Sequence, residues 1–101
     1  MTLGRVVGVI VATRKDPRLE GSTLLIVKPV APDGKEEPGY QVAVDTVGAG
    51  NGELVITVTG SSARMAAGCK EKPVDCVVVG IVDGMSRVGE RMAAIIAGVP
   101  V

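Results

Sequence analysis

Val42-Ala43-Val44-Asp45-Thr46-Val47-Gly48-Ala49-Gly50-Asn51-Gly52-Glu53-Leu54-Val55-Ile56-Thr57-Val58-Thr59-Gly60-Ser61-Ser62-Ala63-Arg64 is the stretch that decides the fold class. A β-branched run enters a cluster of glycines, and the chain then resumes as a second β-branched run. Glycine loops that hold phosphate in dinucleotide folds follow a strand and open a helix, whose N-terminus meets the pyrophosphate. Here Asn51-Gly52 is a two-residue turn signal, and Leu54 to Thr59 continues as a strand with Thr57 and Thr59 on one face. Gly48, Ala49, Gly50 and Gly52 therefore read as small residues that let backbone come close, at a turn or around a symmetry axis. Gly60-Ser61-Ser62 breaks the second run. Ser61 or Ser62 is placed to cap a short helix through Ala63, Arg64, Met65, Ala66 and Ala67, with Gly68 as a left-handed stop.

Working outward, Arg5 to Thr13 is nearly continuous in apolar, β-branched character, which predicts a strand covered on both faces with Gly8 marking a bend or bulge. Val6 to Ala12 resembles the core of a signal peptide only in its hydropathy. Arg14-Lys15-Asp16 follows at once, so the N-terminus reads as mature structure. Asp16-Pro17 opens a loop closing near Gly21, and Thr23 to Val27 is a second strand ended by Pro29. Pro32-Asp33-Gly34-Lys35 has Pro and Gly where a tight turn wants them, and Glu36 to Gly39 prolongs the exposed loop. Tyr40 to Val47 is a third strand with a wet face at Gln41 and Asp45. Cys76 to Asp83, after Pro73, is the fifth. No helix separates the first four strands, so the class is all-β, and a small five-stranded OB-like barrel with a short helix before the last strand fits the count. Residues 1–84 form this domain. In residues 85–101, Val88, Met92, Ile95 and Ile96 recur at helical spacing, which predicts a C-terminal helix packed on the barrel or on a neighbouring subunit.

Composition narrows the function. Apolar residues make up 47% of the 101, yet Phe, Trp and His are absent and Tyr40 is the single aromatic. Nucleic-acid sites on OB-folds need aromatic platforms in a positive groove, and 11 basic against 11 acidic residues supply no such groove. No apolar run reaches the roughly 18 residues of a membrane-spanning helix. Cys69 and Cys76 make neither a disulfide scaffold nor a zinc pattern; Cys76 lies within an apolar strand and is inert, whereas Cys69 is expected at the surface with Lys70 and Lys72 beside it. Asp45, Glu53, Asp75 and Asp83 stand at strand ends, but without histidine they lack a ready acid–base partner, and Ser61 and Ser62 lack a base to activate them. Ion pairs across a subunit contact, Arg64 with Asp45 or Glu53, are the use these charges suggest. No catalytic residue, cofactor or metal is expected. So apolar a short chain points to self-association. The alternative is a small-molecule or nucleotide-binding module that uses the glycine loop.

Three blocks in series carry a resemblance. Gly4-Arg5-Val6-Val7-Gly8 through Val11-Ala12-Thr13-Arg14-Lys15, with Leu19-Glu20-Gly21, Leu24-Leu25 and Val27, is the first. Val42 to Glu53, running to Gly60-Ser61-Ser62-Ala63-Arg64, is the second, and Pro73-Val74-Asp75-Cys76-Val77-Val78-Val79-Gly80-Ile81-Val82-Asp83 is the third. Together they cover about residues 3 to 84, and the chain resembles the vertex proteins of bacterial microcompartments, of the carboxysome and ethanolamine-utilisation type. The resemblance implies an OB-like barrel that assembles into a homopentamer shaped like a truncated pyramid with a narrow axial opening. It implies a cytoplasmic shell whose facets are hexamer-forming proteins of another fold, and a structural role without catalysis. On the same ground Asp45, Gly48, Ala49, Gly50, Asn51, Gly52, Glu53, Ser61, Ser62 and Arg64 are expected at the subunit contact or the axial opening. The tail after Met85 matches no pattern of the family.

Overall fold

The computed structural model describes residues 1–13, 15–66, 69 and 72–84. Five strands, β1 (Thr2–Ile10), β2 (Thr23–Pro29), β3 (Gln41–Asp45), β4 (Leu54–Thr59) and β5 (Cys76–Ile81), close into a barrel in the order β1-β2-β3-β5-β4. Two 3-10 helices accompany them, η1 (Pro17–Leu19) and η2 (Gly60–Met65). Four of the five pairings are antiparallel, and the parallel contact of β3 with β5 closes the ring. The expected C-terminal helix lies outside the described residues.

The interior takes one residue or two from every strand: Val6, Leu25, Val27, Ala43, Val55, Cys76 and Val78 form its buried cluster. Small aliphatics suffice because five strands enclose a narrow space. Gly4 shows how narrow it is. A Cβ there would overlap Cγ1 of Val27 and stand 3.2 Å from the carbonyl oxygen of Lys28, so only glycine lets β1 and β2 approach at this point. Thr57 is the buried polar residue of β4, and its hydroxyl is satisfied by that of Thr2 across the β1–β4 ladder. A second cluster, Val44, Ala63, Cys69, Val74 and Val77, lies on the other face of β3 and β5, where η2 and the link to β5 cover it.

Several expectations need correction. The first strand begins at Thr2 and ends at Ile10, because Thr2 to Arg5 find partners on β4 while the stretch after Ile10 finds none. Its outer face is not covered among the described residues: Val7 and Val9 are exposed. The anticipated irregularity at Gly8 is present as a register shift between Val6 and Gly8. On β3 the wet residue is Val42, and Gln41 and Asp45 are half-buried, since they share the inward side with buried Ala43 and sit at the two ends of the strand. Cys69 is buried, packed as a small hydrophobe in the second cluster.

The short helix also differs in kind. It is 3-10, and Gly60 at φ 68° starts it one residue before the serines. The N-cap position falls to Thr59, which makes no side-chain capping bond. Ser61 and Ser62 therefore lie exposed within the first turn and cap nothing. The N–H of Gly60 is satisfied instead by the carbonyl of Asp75, 2.8 Å away, which ties η2 to the base of β5. Gly68 lies outside the described residues.

Candidate functional site

The glycine segment, residues 46–53, is a built loop at one end of the barrel. Asp45 organises its first half. Oδ1 of Asp45 accepts the N–H of Val47 at 3.0 Å and of Gly48 at 3.1 Å, and Oδ2 accepts the N–H of Ala49 at 3.0 Å. A carboxylate at the end of a strand can reach the next few amides, which is why Asp is suited to this position. Glu53 organises the second half, accepting the N–H of Gly50 at 2.6 Å, while its own N–H donates to the carbonyl of Gly50 at 3.2 Å. Gly50 to Glu53 is thus a closed turn, with Gly52 at φ 84°.

Barrel residues anchor this loop. The N–H of Gly52 donates to Val6 at 2.8 Å, and Val6 donates to the carbonyl of Glu53 at 3.0 Å. Arg5 reaches the carbonyl of Gly52 through Nη1 at 2.7 Å, and the hydroxyl of Thr46 donates to the carbonyl of Val78 at 2.8 Å. Ala49 packs against the interior cluster as part of the barrel's closure. Sequence reasoning singled out neither Arg5 nor Thr46 for this role. A lone arginine ahead of an uncharged strand was the available signal.

These bonds bear on the nucleotide-binding alternative. A phosphate cradle works through free backbone N–H groups that converge on an anion. Those of Val47, Gly48, Ala49, Gly50, Gly52 and Glu53 are all engaged inside this chain, four of them by carboxylates. An incoming phosphate would meet two acidic side chains in place of donors, so the loop is a structural element. Asn51 stands exposed at its tip.

Gly48 and Gly50, both read as residues of close backbone approach, differ in what they demand. Gly48 adopts φ 76° with open space around the position a Cβ would occupy, so a side chain there costs backbone strain and no clash. Gly50 has no positive φ, and a Cβ would stand 3.3 Å from Oε1 of Glu53. Gly48→Val should therefore lower stability by about 1–3 kcal/mol, and Gly50→Val by less. Urea unfolding of both variants checks this, and equal losses would mean that the left-handed backbone at Gly48 is not what the loop depends on.

The structure does not bring all the candidate residues together. Asp45 through Glu53 form the loop just described, at the end of the barrel where β3 finishes and β4 begins, whereas Ser61, Ser62 and Arg64 lie on η2, which follows β4 at its other end. Arg64 is exposed, and among the described residues the only ion pair is Arg18 with Asp16. The expected pair of Arg64 with Asp45 or Glu53 does not form within one chain, because Arg64 lies on η2, at the end of β4 away from the loop. Cys76 is as inert as its strand suggested: burial pushes its thiol upward and Asp75 beside it adds to the effect. No cluster of His, Cys, Asp and Glu able to hold a metal ion occurs among the described residues.

With this geometry the chain can be set against known proteins. It is 48% identical over 92 residues to the bacterial microcompartment shell vertex protein GrpN of Rhodospirillum rubrum, an alignment covering 87% of this chain and 99% of the relative. The solved structure of CcmL from Gloeobacter violaceus superposes with a TM-score of 0.85 at 41% identity, covering 91% of this chain and 94% of that one. The solved structure of the pentameric microcompartment shell protein GrpN from Rhodospirillum rubrum gives a TM-score of 0.80 at 45% identity, covering 86% and 99%. Residues 1–83 match the family model described as ethanolamine utilisation protein EutN/carboxysome, and the chain therefore belongs to the EutN/CcmL family.

Proposed function

We propose that this protein is a structural subunit of a bacterial microcompartment shell, forming homopentamers that close the five-fold vertices. The observation that carries this reading is the combination of family membership with a glycine loop whose amides, apart from that of Asn51, are engaged within the chain. The loop is thereby fitted to hold a shape and unfitted to hold an anion. The mechanism is geometric. Flat sheets of six-fold units cannot close, and a five-fold unit at each corner supplies the missing curvature. No bond is made or broken.

In this reading the barrel of residues 1–84 is the shell unit and residues 85–101 are an appended tail. The shell lies in the cytoplasm, and the outer rim of the pentamer meets hexamer-forming shell proteins. The loop from Asp45 to Glu53 and the turn from Ser61 to Arg64 are assigned to the subunit contact or the axial opening. Exposed Arg64, without a carboxylate partner among the described residues, is suited to pair with an acid of a neighbour. A particle of about five times the 10.3 kDa chain is expected by native mass spectrometry at micromolar concentration. A stable monomer or dimer there would overturn the vertex assignment.

A further inference from the structure

Away from the glycine loop, the turn that follows η1 and the link that precedes β5 bring a second set of polar groups together. Ser22 stands at its centre. Nζ of Lys72 donates to Oγ of Ser22 at 3.1 Å, and Nζ of Lys15 stands 3.5 Å from the carbonyl oxygen of the same serine, a long bond that a better acceptor would replace. All three residues are half-buried. An ammonium can only donate, so Ser22 is the acceptor in both contacts, and its hydroxyl proton finds no acceptor among the described residues. Each lysine also keeps N–H donors to spare.

No carboxylate among the described residues answers these charges. Asp16, next to Lys15 in sequence, is turned to Arg18, whose backbone N–H, Nε and Nη2 lie 2.8, 3.0 and 2.8 Å from its oxygens. That is the one ion pair described. In the two segments Arg14, Lys15, Arg18, Lys70 and Lys72 outnumber Asp16, Glu20 and Glu71. Two ammonium groups gathered on one residue repel each other, and partial burial screens the repulsion less than open water would. The backbone around them is fixed before any ligand arrives: the N–H of Ser22 donates to Leu19 at 2.9 Å, that of Lys72 to Cys69 at 3.1 Å and that of Val74 to Lys72 at 2.8 Å. Leu19, Cys69 and Val74 pack in the second hydrophobic cluster, so both walls are pinned to the barrel and little backbone is ordered on binding.

We infer that Lys15, Ser22 and Lys72 form a binding site for a phosphate-class oxyanion, with the two ammonium groups and the serine hydroxyl as donors to its oxygens. A tetrahedral oxyanion offers an acceptor to each donor and relieves the repulsion between the lysines, which chloride does without matching their directions. The glycine loop presents the reverse, with amides taken and carboxylates in front. The site belongs to a single chain, so it holds whatever the oligomeric state.

Amide chemical shifts of the full-length protein, titrated with potassium phosphate against potassium chloride at constant ionic strength, test the site. Saturating shifts at Ser22, Thr23 and Lys72 are expected with phosphate and not with chloride. Lys15→Gln and Lys72→Gln should each weaken binding at least about tenfold, and Ser22→Ala should weaken it less. Lys28→Gln is the control: Lys28 is engaged with the carbonyl of Gly39 and the ring of Tyr40, and its loss should leave the curve unchanged. Glycerol phosphate in place of the inorganic ion separates the two sources of the group, since tighter binding of the ester assigns the site to a phosphorylated small molecule and weaker binding assigns it to free phosphate. Melting alone does not decide, because phosphate stabilises proteins in general by its exclusion from their surface. Circular dichroism matching the wild type shows that each variant is folded, and either lysine variant carries the test if the other is not. A titration that does not saturate, or a loss in Lys28→Gln equal to that in the Lys15 and Lys72 variants, overturns the inference.

Discussion

Asp45→Ala is expected to cost about 2–3 kcal/mol of stability, the sum of three charge-assisted hydrogen bonds that are exposed or part-buried. Three backbone amides lose their acceptor at once, and the loop that holds them, exposed except at Ala49 and Glu53, has no other carboxylate within reach, since Glu53 is already bound to Gly50. Asp45→Asn should fall between, at about 1–2 kcal/mol: its amide oxygen can still serve two of the three, but its NH2 group then faces the N–H of Ala49. Urea unfolding gives the order wild type, Asn, Ala. Amide exchange locates it, with protection at Val47, Gly48 and Ala49 lost in the alanine variant while β2 stays protected. If the alanine variant matches wild type within about 0.5 kcal/mol, the carboxylate is not what shapes the loop. If it unfolds easily yet its loop amides stay protected, the loop draws its order from the barrel wall, through Arg5 and Val6.

The barrel was legible in the sequence because its strands are uniform in chemistry and its breaks are not. β2, β4 and β5 sit where β-branched runs lie between Gly, Pro and Asx signals, and the absence of an α-helical pattern between the first four strands fixed the class, the single turn of η1 notwithstanding. The facing of β3 was not legible. Gln41, Ala43 and Asp45 look like a polar side with a small residue in it, but in a narrow barrel that small residue is what fits inside, and the polar residues reach solvent at the strand's two ends. Strand partners were hidden for the same reason: Asn51-Gly52 suggests a hairpin, yet β3 pairs with β2 and β5, and β4 returns to β1. A turn residue fixes local backbone and leaves the ladder to be decided by packing at a distance.

The loop was half legible. Its glycines, Asp45 and Glu53 were recognised as a unit expected at a subunit contact or the axial opening, without the bonds that hold the unit together inside one chain. The structure shows the two acids bonded to amides two to four residues away in their own chain, a local use that an Asp at a strand end before glycines could have signalled. The serines were misread because the capping rule assumes that the helix begins after them, and Gly60, with its positive φ, lets the turn begin earlier. Cys69 was misplaced because its lysine neighbours in sequence outweighed the apolar Ala63, Val74 and Val77 that surround it in space.

Leu25→Ala is expected to cost about 3–5 kcal/mol, because Leu25 is the largest fully buried side chain and the interior has little else of its size. Its neighbours Val6, Val27, Val55 and Val78 are β-branched, held in one rotamer each by the strands, and cannot swing into the space. The cavity therefore stays open, and the loss belongs in the upper part of the range for such truncations. A chain of this size has a total stability near that loss, so the isolated variant subunit should be close to unfolding at room temperature. Assembly changes the outcome in a measurable way. If the folded chain is also a member of a pentamer, association draws the equilibrium back toward the fold, and the variant's melting temperature should rise with protein concentration. Melting at two concentrations a hundredfold apart, with native mass recorded at each, tests the linkage. A variant that melts at the same temperature at both, although pentamers are present at the higher one, would show that the barrel is stable without its neighbours.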